Sequence, residues 1–141
     1  MKLKRVLPIE ENEFYNYLES ELLNDSSHTN TSVNKIEKGM TYSKIEPKTH
    51  LQINVLVKDY QRGHVYEVAI DSLYEKLTIK YQTKPTKEGL QIVFEQHIAS
   101  FQESKQNRWL KWFSEGVYLG RMSDTLFDIQ KKIEKSRVIS S

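Results

Sequence analysis

LQINVLVKDYQRGHVYEVAID, residues 51–71, alternates apolar with polar side chains, breaks at a turn, and alternates again. Leu51, Ile53, Val55 and Val57 share one face of a strand, with Gln52, Asn54 and Lys58 on the other. Asp59 to Gly63 supplies turn residues, and beyond them Tyr66, Val68 and Ile70 oppose Glu67, Ala69 and Asp71. The period of two then continues. Leu77, Ile79 and Tyr81 oppose Lys76, Thr78 and Lys80. After a turn carrying Pro and Gly, Lys84 to Gly89, the residues Leu90, Ile92 and Phe94 oppose Gln91, Glu95 and His97. One dry face and one wet face, held through several short connections from about Gly39 to Ala99, predict an antiparallel meander.

Helical patterns lie on both sides of this run. A short strand, Lys2 to Leu7, ends at Pro8, which has no N–H to donate to a ladder. Glu10, Glu11 and Glu13 then crowd the first turn of a helix predicted from about Asn12 to Leu23, where negative charge is favourable. Its buried stripe is Phe14, Leu18 and Leu22. Asn24-Asp25-Ser26-Ser27 is expected to stop it, and residues 24–34, nearly all polar, are expected to form the most mobile internal loop. Val33 to Glu37 fits a helical turn or a strand.

The chain closes with a helix predicted from about Asn107 to Lys135, with Asn107 or the capping box Ser100-Phe101-Gln102-Glu103 as its start. Trp109, Phe113, Gly116, Val117 and Gly120 share one side; Leu119, Met122, Leu126, Ile129 and Ile133 follow on an adjacent side. At 1.5 Å per residue such a helix spans roughly 43 Å, longer than any one strand, so it must cross the sheet.

With 141 residues, the chain is expected to be one domain spanning 1–141. Hydrophobic residues at 38% and charged ones at 28% place it among globular rather than disordered sequences. Without cysteine there is no disulfide framework, thiolate nucleophile or thiolate metal site. No charged-then-apolar leader and no long apolar run occurs, so a cytoplasmic protein without membrane insertion is expected. The net charge of +2 is small. The basic clusters, Lys2, Lys4 and Arg5, then Lys131, Lys132, Lys135 and Arg137, have no interleaved aromatics, which argues against a nucleic-acid partner.

The element order, from the opening strand and PIEENEFYNYL (residues 8–18) to WLKWFSEGVYLGRMSDTLFDIQKKIE (residues 109–134), resembles the helix-grip folds of the START and birch-pollen-allergen type, the SRPBCC superfamily. More narrowly, GMTYSKI, YEVAI, LTIKYQ and IVFEQ, placed before the long helix, are similar to an uncharacterised family from Firmicutes, a domain of unknown function. The resemblance implies an α+β fold, a curved antiparallel sheet gripping a long C-terminal helix. It also implies an apolar cavity between the two that accepts a hydrophobic small molecule.

The candidate ligand pocket comprises Tyr42, Tyr66, Tyr81, Phe94, Trp109, Phe113, Gly116 and Gly120. Core filling competes with this role for every ring, most strongly for Phe94 and Phe113. For the tyrosines, each inward hydroxyl needs a partner, a water or a ligand. Gly116 and Gly120 mark either close helix–sheet approach or room for a guest. No catalytic residue is assigned. Glu67, Asp71, Glu95 and His97 all face outward by strand parity, leaving Tyr66, Tyr81 and Gln96 as the polar groups of the dry face. The histidines His28, His50, His64 and His97 lack metal-site spacing, so no metal and no cofactor are expected. Non-enzymatic ligand binding is therefore the leading function. An interaction or regulatory module without a cavity is the alternative, and a cyclase-type enzyme on a hydrophobic substrate stands third. The sequence leaves the oligomeric state and the ligand's identity open.

Overall fold

The structure is a computed structural model that describes residues 1–27, 35–45, 50–73, 75–100 and 115–140. In chain order its elements are β1 (Lys2–Leu7), α1 (Glu11–Ser27), β2 (Thr41–Ile45), β3 (Gln52–Gln61), β4 (Val65–Asp71), β5 (Glu75–Thr86), β6 (Gly89–Ser100) and α2 (Glu115–Ser140). The described strands form one sheet in the order β1-β6-β5-β4-β3-β2, and every neighbouring pair is antiparallel. Strands β2 to β6 make the expected meander, and β1 returns beside β6 with Leu3 opposite Phe94. Both helices pack on the inner face, which gives the α+β helix-grip layout. The sheet edges carry charge (Lys2, Lys4 and Arg5 on β1, Lys44 on β2), which discourages pairing with a further strand.

The inner face is the one that alternation predicts. Val55, Val57, Tyr66, Val68, Tyr81, Leu90, Ile92 and Phe94 are buried, and Ile53, Ile70 and Ile79 pack against them. Lys76, Lys80 and Glu95 keep partial exposure, and Glu95 meets Lys2 across the strand pair at 3.4 Å. From α2, Met122, Leu126, Ile129 and Ile133 enter the core at the predicted three-and-four spacing, each 5% exposed or less. The predicted start of the final helix and its Trp109 side lie outside the described residues.

Four local differences have physical causes. Helix α1 does not stop before Asn24 but continues to Ser27. The Ser26 hydroxyl donates to the Leu23 carbonyl at 3.0 Å and Asp25 is held by β2, so two residues that favour helix ends are satisfied inside one. Residues 24–27 of the expected mobile loop are thus ordered helix; 28–34 lie outside the described residues.

Strand β3 runs on to Gln61 through a bulge between Val57 and Asp59, which places Tyr60 on the inner face. Strand β5 likewise extends to Thr86, with Pro85 in the overhang beyond its pairing with β4, where a missing N–H costs nothing. Finally, α2 continues past Lys135 because Arg137 forks onto Glu13 of α1, with bonds of 2.5 and 2.6 Å, and donates to the Pro8 carbonyl at 3.2 Å. The same Glu13 accepts the Glu10 N–H at 2.9 Å and so caps α1.

Gly89 follows the tight turn at Lys87-Glu88 with φ +146°, and a Cβ there would stand 2.1 Å from the Leu7 carbonyl oxygen. Backbone cannot yield as a flexible side chain does. Gly39 also has positive φ, +89°, but open space around it. Urea unfolding should therefore show Gly89→Ala losing about 2–3 kcal/mol and Gly39→Ala about 1 kcal/mol. Equal losses would mean that the Leu7 contact does not constrain the β1–β6 edge.

Candidate functional site

One register row crosses five strands. Tyr60 of β3 pairs with Tyr66 of β4, Tyr66 with Tyr81 of β5, Tyr81 with Phe94 of β6, and Phe94 with Leu3 of β1. The Tyr81 and Phe94 rings stack at 4.7 Å between centroids, and Tyr66 lies 6.0 Å from Tyr60 and 6.1 Å from Tyr81. Helix α1 lays Phe14 and Tyr15 over this row. Phe14 meets Tyr81 edge-on at 5.5 Å, Tyr15 meets Tyr60 at 6.3 Å, and the two helix rings touch at 5.6 Å. Phe14, Tyr15, Tyr60, Tyr66 and Tyr81 thus close a ring of aromatic contacts. Each such pair adds about 0.5–1.5 kcal/mol beyond the area it buries.

The hydroxyls on these rings divide into two groups. Thr83 gives its proton to the Gly63 carbonyl at 3.2 Å, so the 2.7 Å bond between Tyr15 and Thr83 runs from the phenol to Thr83. Tyr42 donates to Asp25, whose carboxylate also takes Lys44 at 2.8 and 3.0 Å. Tyr60 donates to Glu19, which takes Arg62 at 2.5 Å, while Arg62 reaches Asn16 at 2.7 Å. Two phenol–carboxylate–cation sets therefore fasten α1 to β2 and β3. By contrast, Tyr66 and Tyr81 are each 6% exposed, and among the described residues neither hydroxyl has a hydrogen-bond partner.

Burial also changes their acidity. Desolvation pushes the Tyr66 and Tyr81 phenols well above the ordinary tyrosine range. For Tyr66 the nearby Tyr60 and the Asp25 charge add to the shift; for Tyr81, Tyr66 and Tyr17 do. Tyr42 rises through burial, reinforced by its bond to Asp25, and Tyr60 is pushed up to about 12 by burial and Glu19. Tyr15 rises through burial despite its Thr83 bond. At neutral pH all five are hydrogen-bond donors, not phenolates.

Of the residues singled out in the sequence, the structure brings Tyr66, Tyr81 and Phe94 together in one row. Tyr42 is buried one strand beyond β3 with its hydroxyl committed to Asp25. Gly116 and Gly120 fall within α2. Trp109 and Phe113 lie outside the described residues. Sequence reasoning missed Tyr15, Tyr60, Glu19 and Asp25. Tyr15 was findable, since Tyr15, Leu18 and Leu22 also keep a three-and-four spacing. Tyr60 sits behind a bulge that resets strand parity, and Asp25 sits in a segment that reads as loop.

Outside this cluster, a groove of about 410 Å³ between the helices is lined by Asn16, Tyr17, Lys132 and Ser136 among others, with the Lys132 ammonium 6.0 Å from the Tyr17 ring centre. No group of three or more His, Asp or Glu among the described residues is arranged to hold a metal ion. No described helix is long and apolar enough to cross a membrane.

Residues 1–116 match the family described as Domain of unknown function (DUF3284), and the chain belongs to that family. No curated protein matches it. Among solved structures it is similar to a protein of unknown function from Staphylococcus aureus, at 10% identity and TM-score 0.65, over 98% of this chain and 94% of that one. It is similar to Ara h 8.0201 at 13% identity and TM-score 0.60, over 100% and 97% of the two chains. A protein from Mesorhizobium loti matches at 11% identity and TM-score 0.60, over 96% of each. These likenesses establish the shared helix-grip, birch-pollen-allergen-like fold.

The raised phenols link stability to alkaline pH. An unfolded chain ionises its tyrosines near pH 10, while the folded chain keeps these five protonated, so between those ranges the folded state binds more protons. Their contribution is complete below about pH 10 and is lost as pH climbs toward the folded values. Absorbance at 295 nm should show at least five phenols resisting ionisation at pH 11 until the chain unfolds, with the urea midpoint falling steadily above pH 10. Ionisation of all phenols near pH 10 with the fold intact would contradict the burial of the row.

Proposed function

We propose that this chain binds a hydrophobic small molecule between the inner face of its sheet and helix α2, and releases it unchanged. The observation that carries the reading is the pair of buried neighbours, Tyr66 and Tyr81, whose hydroxyls have no partner among the described residues. A buried polar group without a partner costs about 1–3 kcal/mol, and a guest that accepts hydrogen bonds offsets that cost. Phe94, stacked on Tyr81, supplies apolar wall beside them, and the buried Tyr42 ring supplies more. Trp109, Phe113, Gly116 and Gly120 complete the site on the helix side. The glycines leave room where a larger side chain would fill it. Residues 1–141 act as one domain, in the cytoplasm, where a cysteine-free sequence loses nothing by lacking disulfides.

Binding without turnover is favoured by the state of the nearby acids. Asp25 and Glu19, the carboxylates closest to the row, each hold a phenol and a cation, so neither is free to take a proton from a guest. His97 is exposed on the outer face.

The neutral fluorophore N-phenyl-1-naphthylamine tests the proposal directly. Its emission should rise and saturate near one probe per chain. Gly120→Leu should abolish that uptake with little change in melting temperature. If Gly120 instead marks tight helix–sheet contact, the added side chain overpacks the core at a cost of about 1–3 kcal/mol. A large fall in melting temperature, with no saturable uptake by the parent chain, would favour an interaction module.

A further inference from the structure

The charges around the aromatic row say what kind of guest suits it. Every cation near the row already faces a carboxylate: Lys44 faces Asp25, Arg62 faces Glu19 and Arg137 faces Glu13. Lys132, on α2 beside Tyr17, lies in the field of Glu21 and Asp128. A guest carrying a carboxylate therefore meets no uncommitted positive charge among these groups. It also meets repulsion at Tyr66, which feels the Asp25 charge. A cationic head fares little better, because Asp25 and Glu19 are neutralised where they stand and a desolvated ammonium is costly.

What the row does offer is two adjacent phenol donors. Tyr66 and Tyr81 are register partners on neighbouring strands, with rings 6.1 Å apart and tilted by 38°. Their hydroxyls are the unpaired polar groups of a wall otherwise made of rings, and burial holds both protonated at neutral pH. Stacking surface is present as well, since Tyr81 and Phe94 present nearly parallel rings, 18° apart.

Resting on the ligand-binding proposal above, we infer that the guest is an uncharged, flat, ring-bearing molecule with a carbonyl-type acceptor that takes hydrogen bonds from Tyr66 and Tyr81. Selectivity then comes from what the site lacks. A neutral carbonyl satisfies the two donors without requiring a counter-ion. A carboxylate or an ammonium of the same size leaves a desolvated charge without a partner.

Three probes of one skeleton separate the cases: 2-acetylnaphthalene, 2-naphthoate and protonated 2-(aminomethyl)naphthalene, titrated calorimetrically into the full chain at pH 7. The neutral ketone should bind at least tenfold more tightly than either ion. Tyr66→Phe and Tyr81→Phe should each weaken the ketone several-fold and leave the ions unchanged. Equal or tighter binding of either ion overturns the inference while leaving a ligand site in place. So does uptake of N-phenyl-1-naphthylamine without uptake of the ketone. Absence of binding by the ketone and by N-phenyl-1-naphthylamine overturns both this inference and the ligand-binding proposal. Should a Phe variant fail to fold, the three-way comparison on the parent chain still decides the question.

Discussion

A tyrosine buried on a sheet brings its hydroxyl with it, and that hydroxyl must be paired. The ring contributes burial and edge-on contacts; the phenol oxygen, removed from water, demands a donor or acceptor in return. Most of this structure follows from how the inner face meets that demand. Tyr15 is answered by Thr83, Tyr42 by Asp25 and Tyr60 by Glu19. Two of those answers come from α1, so the position of the helix over the sheet is set by polar pairing as much as by the burial of Phe14, Leu18 and Leu22.

Charge follows from the same arrangement. A carboxylate brought in to accept from a phenol is itself partly desolvated, and Lys44 and Arg62 stand beside Asp25 and Glu19 to balance them. The outcome is a neutralised border around an apolar row, which leaves Tyr66 and Tyr81 as its polar points. Arg137 closes the assembly from the other end, tying α2 to the start of α1 through Glu13 and Pro8. Neither helix lies on the sheet by apolar contact alone.

The fold was legible in the sequence because alternation is strict where the sheet is two-faced. Residues 51–57, 66–70, 77–81 and 90–94 each place their apolar members inward, as their register confirms. The stripe of α2 from Met122 to Ile133 was equally plain, since its spacing has no competing strand reading. Much of the candidate site was not. Tyr60 lies beyond a bulge, and inserting one residue reverses parity without leaving any trace in composition. Asp25 and Ser26 favour helix ends by propensity, and only contacts made across the sheet keep them within α1. Glu19 reads as one more exposed helix charge until Tyr60 is placed opposite it. The row of Tyr66, Tyr81 and Phe94 could be named residue by residue, but its continuity is a property of register, which no local pattern encodes.

The central claim is that the Tyr66 and Tyr81 hydroxyls await a guest rather than a neighbour within the chain. Native mass spectrometry of freshly purified protein, compared with the same sample under denaturing conditions, tests it most directly. The account predicts a bound population heavier than the chain by the mass of one small organic molecule, lost on denaturation. A single bare mass under both conditions would contradict it, leaving the tyrosine row as core and the fold as a scaffold without a ligand.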